Sequence, residues 1–222
     1  MSTIKNRIVA TLATTGLLVG TGMATTAPAQ AGEDENAKGG GGYGDTSLAE
    51  VLAADGNKFD RTGKDFDVLD RVVRVVLRNK PDSAVGVLAD GDFKATAFLP
   101  NDFAFKKLTR NLVGNKAART ERRAAKALVK NVDVDTLETV LLYHVVPGKP
   151  LDSGAVAGAD GAELETAQGG IVTVDVNGKN GSITLVDQDP DNKDPRVVAV
   201  DINKGNKQIG HAINRVLRPV DL

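Results

Sequence analysis

Thr96-Ala97-Phe98-Leu99-Pro100-Asn101-Asp102-Phe103-Ala104-Phe105 changes its apolar period partway along, and that change sets the reading of the whole chain. The short apolar run at 95–99 predicts a strand, and Pro100 ends it. Asn101 or Asp102 can then offer a side-chain oxygen to the unpaired N–H groups of a first helical turn. Phe105 and Leu108 follow at helical spacing. The expectation is strand, turn, helix.

N-terminal to this stretch the pattern is helical. Ser47 is a plausible N-cap for a short helix carrying Leu48, Val51 and Leu52. Asp65 can cap a second one, in which Phe66, Leu69, Val72, Val73, Val76 and Leu77 form an apolar face and Pro81 limits the far end. On the C-terminal side, residues 119–130 set Arg119, Arg122, Arg123, Lys126 and Lys130 opposite Ala125, Leu128 and Val129. A solvated helix face explains those cations better than a site for an acidic partner does. Asp135 and Glu138 resemble a capping box opening a helix with Leu137 and Leu141 inside. Pro147-Gly148 then forces a turn.

Beyond this turn the residues are β-branched and punctuated by Gly, Asn and Asp. Residues 166–176, 182–187, 196–202 and 213–217 read as strands joined by hairpins. Helices mainly in the first half and strands in the second predict an α+β domain, not an alternating α/β one.

The first 31 residues have the grammar of a secretory signal: Lys5 and Arg7, an uncharged stretch at 8–20, and small residues ending Ala29-Gln30-Ala31. Residues 32–46, with Glu33-Asp34-Glu35 and Gly39-Gly40-Gly41-Gly42, read as a flexible tail, and 47–222 as one domain. The 222-residue chain has no cysteine, so packing alone must hold it in an oxidising compartment. Its formal charge is −1, or −3 with 26 cations against 29 acids once Lys5 and Arg7 are removed. Such a balance makes no electrostatic case for nucleic acid or anionic lipid.

Three segments together resemble the signatures of the fasciclin domain family. The first is 96–105, quoted above. The second is Leu141-Leu142-Tyr143-His144-Val145-Val146-Pro147-Gly148, and the third is His211-Ala212-Ile213-Asn214-Arg215-Val216-Leu217-Arg218-Pro219. Thr96, Pro100, Asn101, Asp102, Phe105, His211 and Arg215 are its motif positions here. Asn101 stands where the family usually has Thr, which preserves capping ability. Asn214 stands where it usually has Asp, so a negative charge is missing there. The resemblance spans about 48–222 and implies a wedge-like β-sandwich with flanking helices. It also implies a role in cell-surface or matrix adhesion, with no cofactor and no reaction. Contact with a partner through the tyrosine-histidine segment would carry over to Tyr143 and His144.

From the residues themselves, Tyr143 and His144 read as a strand pair pointing to opposite faces, with a structural role favoured over a binding one. His211 is expected beside a strand entering the core. Those are the chain's two histidines, and neither has the spacing of a zinc motif. A serine hydrolase using one of them would lack a Gly-x-Ser-x-Gly elbow. The acidic stretch 187–194 begins like a calcium loop but has Asn192 and Val198 where a glycine and a glutamate are required. The leading expectation is a secreted, monomeric, non-catalytic module, free in the medium or loosely held at the cell surface. It would bind an extracellular protein or polysaccharide without a metal, cofactor or membrane anchor. A carrier of a small apolar ligand is the alternative, and a hydrolase the third reading.

Overall fold

A computed structural model describes residues 43–220 apart from Asp55, Asn57 and Arg61. The leader at 1–31 and all but the end of the 32–46 tail lie outside the described residues. The observed order is α1 (Leu48–Ala53), α2 (Asp67–Asn79), β1 (Ala95–Pro100), α3 (Asp102–Val113), α4 (Glu121–Asn131) and α5 (Val134–Tyr143). Then come β2 (Val145–Pro147), α6 (Ser153–Ala157), β3 (Glu163–Glu165), β4 (Ile171–Val176), β5 (Ile183–Val186), β6 (Val197–Ile202) and β7 (Gln208–Ile213). The class is α+β, with helices early and strands late.

The strands form two sheets, ordered β2-β1-β7-β6 and β3-β4-β5. β1 and β7 run parallel at the centre of the first, from Ala95 opposite Gln208 to Pro100 opposite Ile213. β1 is buried along its whole length because each of its faces meets a core. Ala95, Ala97 and Leu99 join the helical core with Val72, Leu128 and Leu141. Phe98 turns the other way, into a core shared with Val172, Val174 and Leu185 of the second sheet. This inter-sheet core, which also takes in Val156 of α6, makes the strands a sandwich, while α1 to α5 pack on the other face of the first sheet. Gly210 leaves room for Leu99 where β7 runs beside β1, since a Cβ there would sit 2.6 Å from Leu99 Cδ1.

The helix starts follow local chemistry, with two corrections. Ser47 and Glu50 form a complete capping box on α1, Asn101 Oδ1 caps α3 at Ala104 N–H (3.0 Å), and Thr120 caps α4. Asp65 does not cap α2. The Val68 N–H donates instead to Asp102 Oδ1, at 2.9 Å, from the start of α3. The cap comes from a distant residue because β1 delivers α3 against α2, where the Asp65 carbonyl receives the Asp102 N–H. Asp135 does not open α5 either: Asp133 accepts the Thr136 N–H at 2.8 Å, and Glu138 turns to Lys80 and Ser83.

Two strand expectations also move. β4 starts at Ile171, because Thr166 N–H and Oγ1 both bond the Gly170 carbonyl at 2.9 Å and make 166–170 a turn. The last strand ends at Ile213 instead of starting there, so His211 lies within it. α6 and β3 are too short for the apolar pattern to announce them.

Candidate functional site

Tyr143 and His144 do not lie in a strand. Tyr143 is the last residue of α5 and His144 its C-cap, so both turn inward, to different cores. The Tyr143 ring is fully buried between the sheets and its Oη donates to the Ile171 carbonyl at 2.6 Å. Burial, with the Asp187 charge second, raises its pKa to about 12. The Leu217 N–H donates to His144 Nε2 at 2.9 Å, so the proton sits on Nδ1, which faces the Val140 carbonyl at 2.7 Å. Burial pushes this imidazole down to about 4, only partly opposed by its bond to Val140. A neutral His144 therefore pins the segment after β7 to the end of α5.

His211 repeats the arrangement on β7. It is wholly buried, with Nε2 at 2.8 Å from the Leu151 carbonyl and the Asp201 N–H toward Nδ1 at 3.5 Å. Burial lowers its pKa, with the Leu151 bond opposing. Thr96 Oγ1 accepts the Leu151 N–H at 2.8 Å, so Thr96 and His211 hold the same loop residue from adjacent strands. Gln208, which sequence reasoning missed, does the same at the other end of β7. Its amide accepts the Leu48 N–H at 2.8 Å and donates to the Val87 and Asp90 carbonyls. A polar residue at the start of a strand carries no signal of burial, because the carbonyls it bonds come from far away in sequence.

Among the remaining motif residues, Asn101 and Asp102 cap, Phe105 fills the helical core, Pro100 ends β1 and Arg215 lines a surface groove. The Asp102 carboxyl is buried with Asp67 and Glu121, their oxygens within 4.8 Å of one another. Burial, then the charges of Asp65, Glu121 and Asp67, push Asp102 up to about 8 against the pull of its bond to Val68, so it holds a proton at neutral pH. Lys106 Nζ neutralises Glu121 at 3.2 Å.

In the acidic stretch 187–194 the cation is the protein's own. Arg218 Nη1 meets the buried Asp189 Oδ2 at 3.0 Å, and the Arg218 N–H donates to Asp187 Oδ2 at 2.9 Å. Asp194 accepts the Asp187 N–H, so this loop is tied by its own carboxylates.

Two surface grooves gather cations. One, of about 630 Å³, lies between α2 and α4, where Arg71 and Arg74 face Arg122, Lys126 and Lys130. Asp67 and Asp70 also line it, and Arg74 pairs with Asp70 at 2.9 Å. The cationic face of residues 119–130 thus meets a second helix across a concavity. The other groove has two arms of about 520 Å³ each that share Lys107 and Asn214. Its first arm is bordered by Lys64, Lys106, Lys107 and Arg110 over Phe103, Val198 and Ala212. Its second arm adds Lys193, Arg196 and Arg215, with Asp194 as the one acid lining either arm among the described residues. These cations come from four separate stretches of sequence, which is why no single stretch announced them.

Residues 77–219 match the family model for the Fasciclin domain. No curated protein matches. Among solved structures, a FAS1 domain pair from the insect cell adhesion molecule Fasciclin I is similar at 17% identity with a TM-score of 0.40. The match covers 67% of this chain and 46% of that one, so this chain spans less than half of its length.

Proposed function

This chain belongs to the fasciclin domain family, and from that premise we propose that it is a secreted interaction module, holding a cell-surface or matrix partner without catalysing a reaction. The family match over 77–219 carries the reading. The disposition of polar groups supports it. Both histidines spend both ring nitrogens on backbone groups inside the fold. The outer surface, by contrast, offers concave grooves and exposed apolar side chains such as Phe103, Val198 and Val200. No helix among the described residues is long and apolar enough to cross a membrane. Contact through the 141–148 segment would engage its exposed end, Pro147-Gly148, because Tyr143 and His144 are interior.

The apolar space in the helical core, between Phe105, Leu112, Leu137 and His144, holds about 20 Å³. That is room for about one water molecule and not for a lipid.

The test is binding of the full chain to cells, envelope fraction and matrix of the producing organism. Saturable binding that survives removal of small molecules is expected. Absence of saturable binding to all three would overturn the reading.

A further inference from the structure

We propose that the two-armed groove around Lys107 and Asn214 is a binding site for an acidic polysaccharide, which rests on the adhesion reading and names the chemistry of its partner. The chain as a whole carries a formal charge of −1, so cations and acids nearly balance. This groove does not share that balance: among the described residues seven cations line its two arms against the single acid Asp194. Among the described residues only one of the seven is ion-paired, Lys106 to Glu121. The one acid is already committed to the Asp187 N–H.

Lys107 sits where the arms meet. Its Nζ donates to the Asn214 carbonyl at 2.9 Å, and burial together with Arg215 and Arg110 lowers its pKa. The ammonium is thus partly withdrawn from water, among like charges, with a neutral acceptor. An anion arriving there gains more than it would at an isolated surface lysine. The second observation comes from sequence. Asn214, which lines both arms, carries an amide and not a carboxylate, so it brings no negative charge to the cations around it. The Asn214 Oδ1 accepts the Arg196 N–H at 3.0 Å, a bond an aspartate would also make. The backbone geometry therefore does not require the amide.

The shape favours a linear polyanion. The cations are spread over two arms that share Lys107 and Asn214, and the first arm also presents apolar surface, with Phe103 45% exposed and Val198 52% exposed. A carboxylated or sulfated sugar chain presents regularly spaced charges on one edge and C–H faces that lie on apolar or aromatic surface. The groove between α2 and α4 differs in being lined by Asp67 and Asp70, and it supplies an internal control.

The experiment titrates the full chain with a polyuronate oligosaccharide, a sulfated glycan and neutral dextran. Both acidic glycans are expected to bind saturably, with affinity falling at least about tenfold between about 50 and 200 mM salt, as counterions are released. Dextran should not bind. Arg110→Glu/Arg196→Glu, folded by circular dichroism, is expected to lose at least about tenfold in affinity, and Asn214→Asp about threefold or more. Arg71→Glu/Lys126→Glu should bind like the parent. No binding of either acidic glycan at low salt, equal binding of dextran, or full affinity in the double variant would overturn the site. Capture from the envelope fraction separates this from the broader reading. Capture abolished by polysaccharide lyase supports the site. Capture abolished only by protease points to a protein partner and sinks the glycan assignment while leaving adhesion intact.

Discussion

The short segment after β7 serves two regions that treat polar groups in opposite ways. On one side, the Leu217 N–H is spent on His144 and the Arg218 guanidinium on Asp189, inside the fold. On the other, Lys107 donates to the neutral Asn214 carbonyl, and Arg215 faces a groove lined, among the described residues, by one acid. The first region saturates its polar groups and so specifies a structure. The second leaves charge unsaturated at the surface, where it is available to something else. The family signature at 211–219 contains both, so a motif residue is not by itself a binding residue.

The sharpest way to break this contrast is to cut into the saturated side. Tyr143→Ala removes a fully buried ring and the hydroxyl that donates to the Ile171 carbonyl. A loss of about 3–5 kcal/mol in denaturant unfolding is expected. A loss under about 1 kcal/mol would mean that the inter-sheet core does not depend on this ring. Arg218→Leu should cost about 3 kcal/mol, because it strands the buried Asp189 carboxylate. Recovery by Asp189→Asn in the same chain would confirm that the stranded charge is the cause.

The contrast also predicts a pH profile. His144 has a folded pKa of about 4, below its ordinary 6.5, so the unfolded chain binds its proton first as pH falls. Its contribution is complete above 6.5 and is lost toward 4, by roughly 3 kcal/mol. Asp102 runs the other way: its folded pKa of about 8 lies above the ordinary 3.8, so its contribution is complete below 3.8 and declines as pH rises toward 8. Asp187, raised to about 6, adds a like decline between 3.8 and 6. The two larger effects oppose each other below 6.5. Between 6.5 and 8 the Asp102 effect stands without that opposition, so stability should fall by up to about 1.4 kcal/mol per pH unit, the slope easing as pH nears 8. Asp102→Asn should flatten that window; an unchanged slope there would show that Asp102 is not the group responsible.

Local chemistry explains what could be read before the structure. The strand-turn-helix at 96–105, the caps from Ser47 and Asn101, and the division into helical and stranded halves all depend on neighbours in sequence. The misplacements share a different cause. Asp102 capping α2 and Glu138 turning to Lys80 are bonds across 34 and 58 residues, so the nearer acids, Asp65 and Asp135, looked like the caps. An apolar run as short as 141–146 fits a strand and a buried helix end equally well, so the pattern alone does not place Tyr143 and His144. Of the candidate site, only the substitution at Asn214 was visible in advance. Its meaning depends on Lys107, 107 residues away.

The smallest stability effect expected is the most informative one for the surface side. Arg110→Glu/Arg196→Glu alters two exposed side chains that make no ion pair among the described residues, and it brings acids into a field of like-charged neighbours. Surface changes of this kind move stability by about 0.5 kcal/mol or less. Here the sign should be neutral or stabilising, because repulsion among Lys107, Arg110 and Arg215 is relieved. The melt is measured at low and high salt. A gain that vanishes as salt screens the charges shows that the groove holds uncompensated charge in the free protein. A clear loss of stability at both salts would mean that these arginines brace the fold, which would place the groove on the saturated side of the comparison.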